Sequence, residues 1–185
     1  EPVKHVSNYI DAGSDIITVH AEVCDESTFG EICDVLHSNE VGIGLAINPD
    51  TELPQWCYKF VELLDQVIIM SVVPGKSGQK FIESTHEKTR RIAKDLKEHK
   101  FEGYIEADGG VNLENIGACF EDGARAFVGG SAIIGQSDVR MIIKEFRNQV
   151  LESRRRLLIK KAHDLGGMEF VNKWIDLHVV GEKKG

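Results

Sequence analysis

Five short apolar runs, rich in β-branched residues, recur along the chain: "IITVH" at 16–20, "GIGLAI" at 42–47, "VIIMSV" at 67–72, "YIEAD" at 104–108 and "AFVGG" at 126–130. Their nearly unbroken apolar character predicts parallel strands covered on both faces, and the stretches between them are long enough for crossover helices. The stretch 83–100 has helical character and puts Ile92 and Leu96 four residues apart on one face. "NLENIGACFEDGA" opens on an N-cap candidate, Asn112, and closes on Gly123 in a C′ role. "DAGSD" at 11–15 and "EDGAR" at 121–125 share one ending, a glycine just before a strand, as repeating βα units require. "DVRMIIKEFRNQV" predicts a further helix with Val139, Ile142, Ile143, Phe146 and Val150 along one stripe.

Past Ser153 the pattern changes to a basic cluster, read as the solvated face of a continuing helix. A turn at Gly166-Gly167 and a short amphipathic segment with Phe170, Trp174 and Ile175 follow. The expected division is therefore 1–153 as the βα portion and 154–185 as a C-terminal helical extension. Five βα units suit a doubly wound sheet or part of a (β/α)8 barrel, and both carry their chemistry at the carboxyl ends of the strands. That rule singles out His20 and Glu22, Asn48, Pro74 to Gly78, Asp108 to Gly110, and Gly129 to Ser131.

The 185 residues, 42% of them apolar, fit about one domain with a real core. A formal net charge of −8 opposes nucleic acid and anionic membranes, while backbone N–H groups can still hold a small anion. Cys24, Cys33, Cys57 and Cys119 form no C-x-x-C pair and no zinc spacing, so reduced thiols in a cytoplasmic protein are expected. No apolar run reaches the length of a membrane span, and no secretory signal pattern opens these residues.

Gly75-Lys76-Ser77 raises the question of a nucleotide-binding P-loop. That motif, G-x-x-x-x-G-K-[ST], requires glycine at position 70, where Met70 stands, and the residues before Gly75 belong to a strand. A different phosphate device fits better: "ADGGV" at 107–111 and "VGGSAII" at 128–134 are glycine turns that end a strand and open a helix, where free N–H groups can meet an anion. With the loop at 75–78 they make three glycine turns at three consecutive strand ends, and Ser131 adds a hydroxyl and an N–H.

"VIIMSVVPGKSGQKFI", "IEADGGVNLENI" and "DGARAFVGGSAII" resemble the hallmark segments of the ribulose-phosphate 3-epimerase family, and the likeness extends from about Glu1 to Val150. The fold it implies is α/β, a (β/α)8 TIM barrel of the ribulose-phosphate-binding type, with about strands four to eight represented here. The implied activity is interconversion of D-ribulose 5-phosphate and D-xylulose 5-phosphate by proton transfer at C3, with a divalent metal ion of the Zn, Fe or Mn class and two opposed aspartates. Asp108 matches the family aspartate that is both metal ligand and proton carrier. The resemblance puts substrate phosphate contacts on Gly75, Lys76, Ser77, Gly78, Gly109, Gly110, Gly130 and Ser131, and makes Met70 a pocket residue. Lys76 and Ser77 stand where the family commonly has Phe and Gly. His20 matches a histidine outside the metal site, and the other six histidines are expected at the surface.

The family's first three strands, with the remaining metal ligands and the second aspartate, have no counterpart in these residues, so the sequence is expected to be part of a longer polypeptide. A sugar-phosphate substrate and a homo-oligomer are implied; nucleic acid and membrane partners are not. The alternative is a non-catalytic or partner-dependent relative that still binds a sugar phosphate. A decarboxylase or hexulose-phosphate synthase would instead carry a D-x-K-x-x-D strand end, which does not occur here.

Overall fold

The computed structural model describes residues 1–76, 78–164 and 167. Ser77 and the segment carrying Phe170, Trp174, Ile175 and His178 lie outside the described residues. The elements alternate as α1 (Val3–Asp11), β1 (Ile16–His20), α2 (Glu26–Ser38), β2 (Gly42–Ile47), β3 (Gln66–Met70), α3 (Thr85–Glu98), β4 (Tyr104–Asp108), α4 (Ile116–Asp122), β5 (Ala126–Val128), α5 (Gly130–Ile134) and α6 (Val139–Asp164). A short 3-10 turn at Ala21–Val23 precedes α2 after β1, and two more, at Gln55–Lys59 and Val61–Leu63, stand in place of a regular helix between β2 and β3.

All strand pairings are parallel and the order is β1-β2-β3-β4-β5. A doubly wound sheet reverses its strand order at a switch point. None occurs here, and successive right-handed crossovers in one direction place the helices on the same side of the sheet. This is barrel-type α/β architecture, with β1 and β5 as its edges.

The central strands β2 and β3 are covered on both faces, as expected, whereas in β1 and β4 burial alternates and the two faces differ. Ile17, Val19, Ile43, Leu45, Ile47, Val67, Ile69, Ile105 and Ala107 form the buried face, packed with Phe29, Ile32 and Leu36 of α2, Ile92 and Leu96 of α3, and Ile116 and Cys119 of α4. The opposite face carries Thr18, His20, Gln66, Met70, Glu106 and Asp108, because successive side chains along a strand point to opposite sides. Gly44 lies between Thr18 and Gln66 on that face, and a Cβ there would collide with the Thr18 side chain. With no side chain in the way, Thr18 Oγ1 reaches over β2 to donate to Gln66 Oε1 (3.4 Å), and Gln66 Nε2 donates to Glu106 Oε2 (2.7 Å).

Two element ends differ from the sequence expectation. β3 stops at Met70, since Ser71 turns away to bind the end of β4, and β5 stops at Val128, with Gly130 already the first residue of α5. The predicted helix from Asp138 continues to Asp164 through the basic cluster. Gly13 and Gly123 close their helices with φ of 84° and 123°, the left-handed region that favours glycine. α4 begins later than the sequence suggests, with Asn115 at its N-cap, and Asn112 instead holds the turn before it, its Oδ1 accepting N–H bonds from Glu114 (2.8 Å) and Asn115 (3.2 Å).

Candidate functional site

The carboxyl ends of β3 and β4 bring Met70 and Asp108 side by side as register partners. Met70 is buried and Asp108 half-buried. Burial pushes the Asp108 carboxyl above the ordinary carboxylate value, and the nearby His20 pulls it partly back. Glu106, two residues earlier on the same face, is also raised, first by burial and then by the charge of Asp108.

Ser71 fixes this strand end. Its N–H donates to Asp108 O (2.6 Å), and its hydroxyl donates to Asp108 O (3.0 Å) and Gly109 O (2.8 Å). Ser71 has no mark in the sequence beyond being a small hydroxyl residue inside the apolar run 67–72.

The glycines divide by what surrounds them. Gly75 (φ 107°) and Gly78 (φ 73°) have open space where a side chain would stand, as does Gly130. Their backbone is accessible to a ligand. Gly109 (φ 116°) and Gly110 (φ 64°) are instead packed against neighbouring loops: a Cβ on Gly109 would run into Val72, and one on Gly110 would lie 2.5 Å from the backbone N of Phe81. The loop 73–78 is folded by Gln79, whose Nε2 donates to Val73 O (2.6 Å) and Lys76 O (2.8 Å). Lys76 is exposed. Gly110 and Ser131 border one cleft of about 630 Å3, together with Phe81, His86, Asn112 and Asn115.

On the β1 side, His20 Nδ1 lies 3.2 Å from Glu22 Oε2, and Glu22 Oε1 accepts the backbone N–H of Asn48 (2.7 Å). Burial pushes the Glu22 carboxyl up, but the hydrogen bonds from Asn48, Thr51 and His20 outweigh it and leave the group below its ordinary value. A hollow of about 950 Å3 runs from Thr18, His20 and Glu22 past Asn48 to Val73 and Pro74, at the entrance to the loop 75–78.

The surface placement expected for the histidines fails at His86. Its side chain is 16% exposed and its ring binds the buried Asp122, which also accepts from Arg90 Nη1 (2.6 Å). The cause is the packing of α3 on α4, which the sequence spacing does not reveal. His99 stacks on Tyr58 with ring centroids 4.1 Å apart.

The thiols are free. Burial pushes Cys33, Cys57 and Cys119 up to about 12, so none is a nucleophile at neutral pH. No helix among the described residues is long and apolar enough to cross a membrane.

A model of the ribulose-phosphate 3 epimerase family matches residues 1–134. The chain belongs to the ribulose-phosphate 3-epimerase family. It is 37% identical over 145 residues to the ribulose-phosphate 3-epimerase of Escherichia coli strain K12, covering 78% of this chain and 63% of that protein. The Bacillus subtilis strain 168 enzyme of the same name is 37% identical over 148 residues, covering 80% and 67%. The chloroplastic ribulose-5-phosphate-3-epimerase of Arabidopsis thaliana is 38% identical over 144 residues, covering 78% and 51%. The chain thus spans somewhat under two thirds of the Escherichia coli protein. Among solved structures, 3-keto-L-gulonate-6-phosphate decarboxylase from Vibrio cholerae superposes with a TM-score of 0.58 at 17% identity, over 81% of this chain and 67% of that one. 3-hexulose-6-phosphate synthase from Salmonella typhimurium gives 0.55 at 17% identity, over 81% and 68%. At such identities the likeness is one of fold alone.

The metal that the family resemblance implies needs about three protein ligands. Among the described residues no three His, Cys, Asp or Glu side chains gather into a cluster able to hold an ion. The described residues therefore do not fit a metal by themselves.

Proposed function

We propose that this chain carries the phosphate-holding part and one proton carrier of a ribulose-phosphate 3-epimerase. Such an enzyme interconverts D-ribulose 5-phosphate and D-xylulose 5-phosphate. The observation that carries the reading is Asp108, raised by burial and paired in register with Met70, flanked by glycine turns at the ends of β3, β4 and β5 in a chain of this family. The open backbone of Gly75, Gly78 and Gly130 receives the substrate phosphate, with Lys76, Ser77 and Ser131 as further donors. Gly109 and Gly110 act differently, closing the strand-end loops onto Val72 and Phe81 so that the carboxylate keeps its place.

In the reaction, the C3–H bond breaks, its proton passes to a carboxylate on one face, and the electrons move onto the adjacent carbonyl as an enediolate. Reprotonation from the other face inverts C3. Asp108 serves one face. Burial, which raises the Asp108 carboxyl above the ordinary aspartate value, makes it a stronger base toward the C3 proton. The family resemblance implies an opposite proton carrier and a divalent ion of the Zn, Fe or Mn class, with Asp108 as one of its ligands. The protein is proposed to be cytoplasmic and to act as a homo-oligomer, which would cover the sheet edges at β1 and β5.

The test is an assay for D-xylulose 5-phosphate formed from D-ribulose 5-phosphate, with divalent metal supplied. Turnover that is lost in Asp108→Asn supports the reading. Binding of the sugar phosphate without turnover points instead to the non-catalytic relative.

A further inference from the structure

We propose that His20, clamped by Glu22, contacts the sugar part of the ligand, its Nε2 accepting a hydrogen bond from a hydroxyl of an open-chain sugar phosphate that lies along the hollow leading to Gly75. The inference rests on the function proposed above and assigns His20 a role outside metal binding and proton transfer.

Three observations support it. First, His20 ends β1 on the same sheet face as Asp108, and the two are near enough to interact through their charges. Second, its ring is fixed by a partner that is itself fixed. Nδ1 faces Glu22 Oε2 at 3.2 Å, and the other oxygen of Glu22 is held by the Asn48 N–H at 2.7 Å. A carboxylate at Nδ1 requires the proton there, and in the neutral ring this leaves Nε2 as an acceptor. No hydrogen bond to Nε2 is found among the described residues, and the side chain keeps 37% of its surface exposed. Third, the space in front of the ring leads to the phosphate loop: the hollow that His20 lines extends to Val73 and Pro74, next to Gly75. A ligand with its phosphate on Gly75 and Gly78 that extends its carbon chain along this hollow passes His20; Asp108 lies outside the hollow's lining, on the same face of the sheet. An imidazole acceptor suits a hydroxyl there, whereas a second phosphate oxygen would meet the negative Glu22 behind it.

The experiment measures dissociation constants of the full chain for two probes, D-ribulose 5-phosphate and inorganic phosphate, by calorimetry. His20→Ala is expected to weaken the sugar phosphate roughly three- to tenfold, the loss of one hydrogen bond, and to leave inorganic phosphate within twofold. His20→Gln, which keeps an acceptor at similar reach, is expected to recover most of the loss. Unchanged sugar-phosphate affinity in His20→Ala overturns the inference. So does an equal loss for both probes, which marks a structural role only. A wild-type chain that binds inorganic phosphate and not D-ribulose 5-phosphate, or that binds neither, overturns the proposed function itself and this inference with it.

Discussion

At the scale of single residues, glycines that look alike in the sequence are of two kinds, packed and open. Gly109→Ala has to force both a left-handed backbone and a collision with Val72, so it is expected to lower stability by about 1–3 kcal/mol, read from urea unfolding. Gly75→Ala meets no neighbour and carries the backbone penalty alone, about 1 kcal/mol, so its larger effect is expected on phosphate affinity. If the two substitutions destabilise equally, the division between packing glycines and ligand glycines is wrong. Asp108 itself was legible because it stands where a strand run meets a glycine pair. Ser71 was not, since the carbonyls it binds, on Asp108 and Gly109, are brought close only by the fold, and Gln79 was not, since the curl of its own loop onto it carries no sequence mark.

At the scale of elements, α3 and α4 are joined by Asp122, buried beneath His86 and Arg90. Asp122→Ala leaves two donors without their acceptor and is expected to cost about 1–3 kcal/mol, visible as a lower Tm. Across the sheet, Thr18, Gln66 and Glu106 form a ladder whose carboxyl is raised above 4.5 by burial and by Asp108. A folded-state value above the unfolded one means that stability is fully present below pH 4.5 and is lost as pH rises through the folded value. Glu106→Gln keeps the acceptor for Gln66 and removes the charge. With divalent ions chelated, thermal melts should therefore show the variant more stable than the wild type at pH 7 and equal to it near pH 4; a variant less stable at pH 7 contradicts this account. Strand positions were well marked in the sequence because apolar runs began at or just after a glycine, as at Gly42, the first residue of β2, and Gly123, just before β5. The polar ladder was hidden, since Thr18, Gln66 and Glu106 are far apart in sequence and each reads as a minor interruption of an apolar strand.

At the scale of the whole molecule, the sheet ends in two strand edges, and Ile16 and Val128 on those edges are 37% and 39% exposed. Ile134, Met141 and Leu151 add exposed apolar surface around α5 and α6. Such surface promotes association, so the 185-residue polypeptide alone is expected to sediment above its 20.6 kDa mass and to bind a hydrophobic dye; a clean monomer without dye binding would contradict this. The barrel-type order of the strands was legible only as one of two choices, because sequence spacing does not say whether crossovers reverse direction.

The central claim is that Asp108 moves the C3 proton of a pentulose phosphate held by the glycine turns. The most direct test is proton NMR of D-ribulose 5-phosphate in D2O with the protein and a divalent metal. Loss of the C3–H signal with the wild type, slowed by roughly 100-fold or more in Asp108→Asn, is the predicted result. A C3–H signal that persists with the wild type, or that exchanges equally fast with the variant, contradicts the claim.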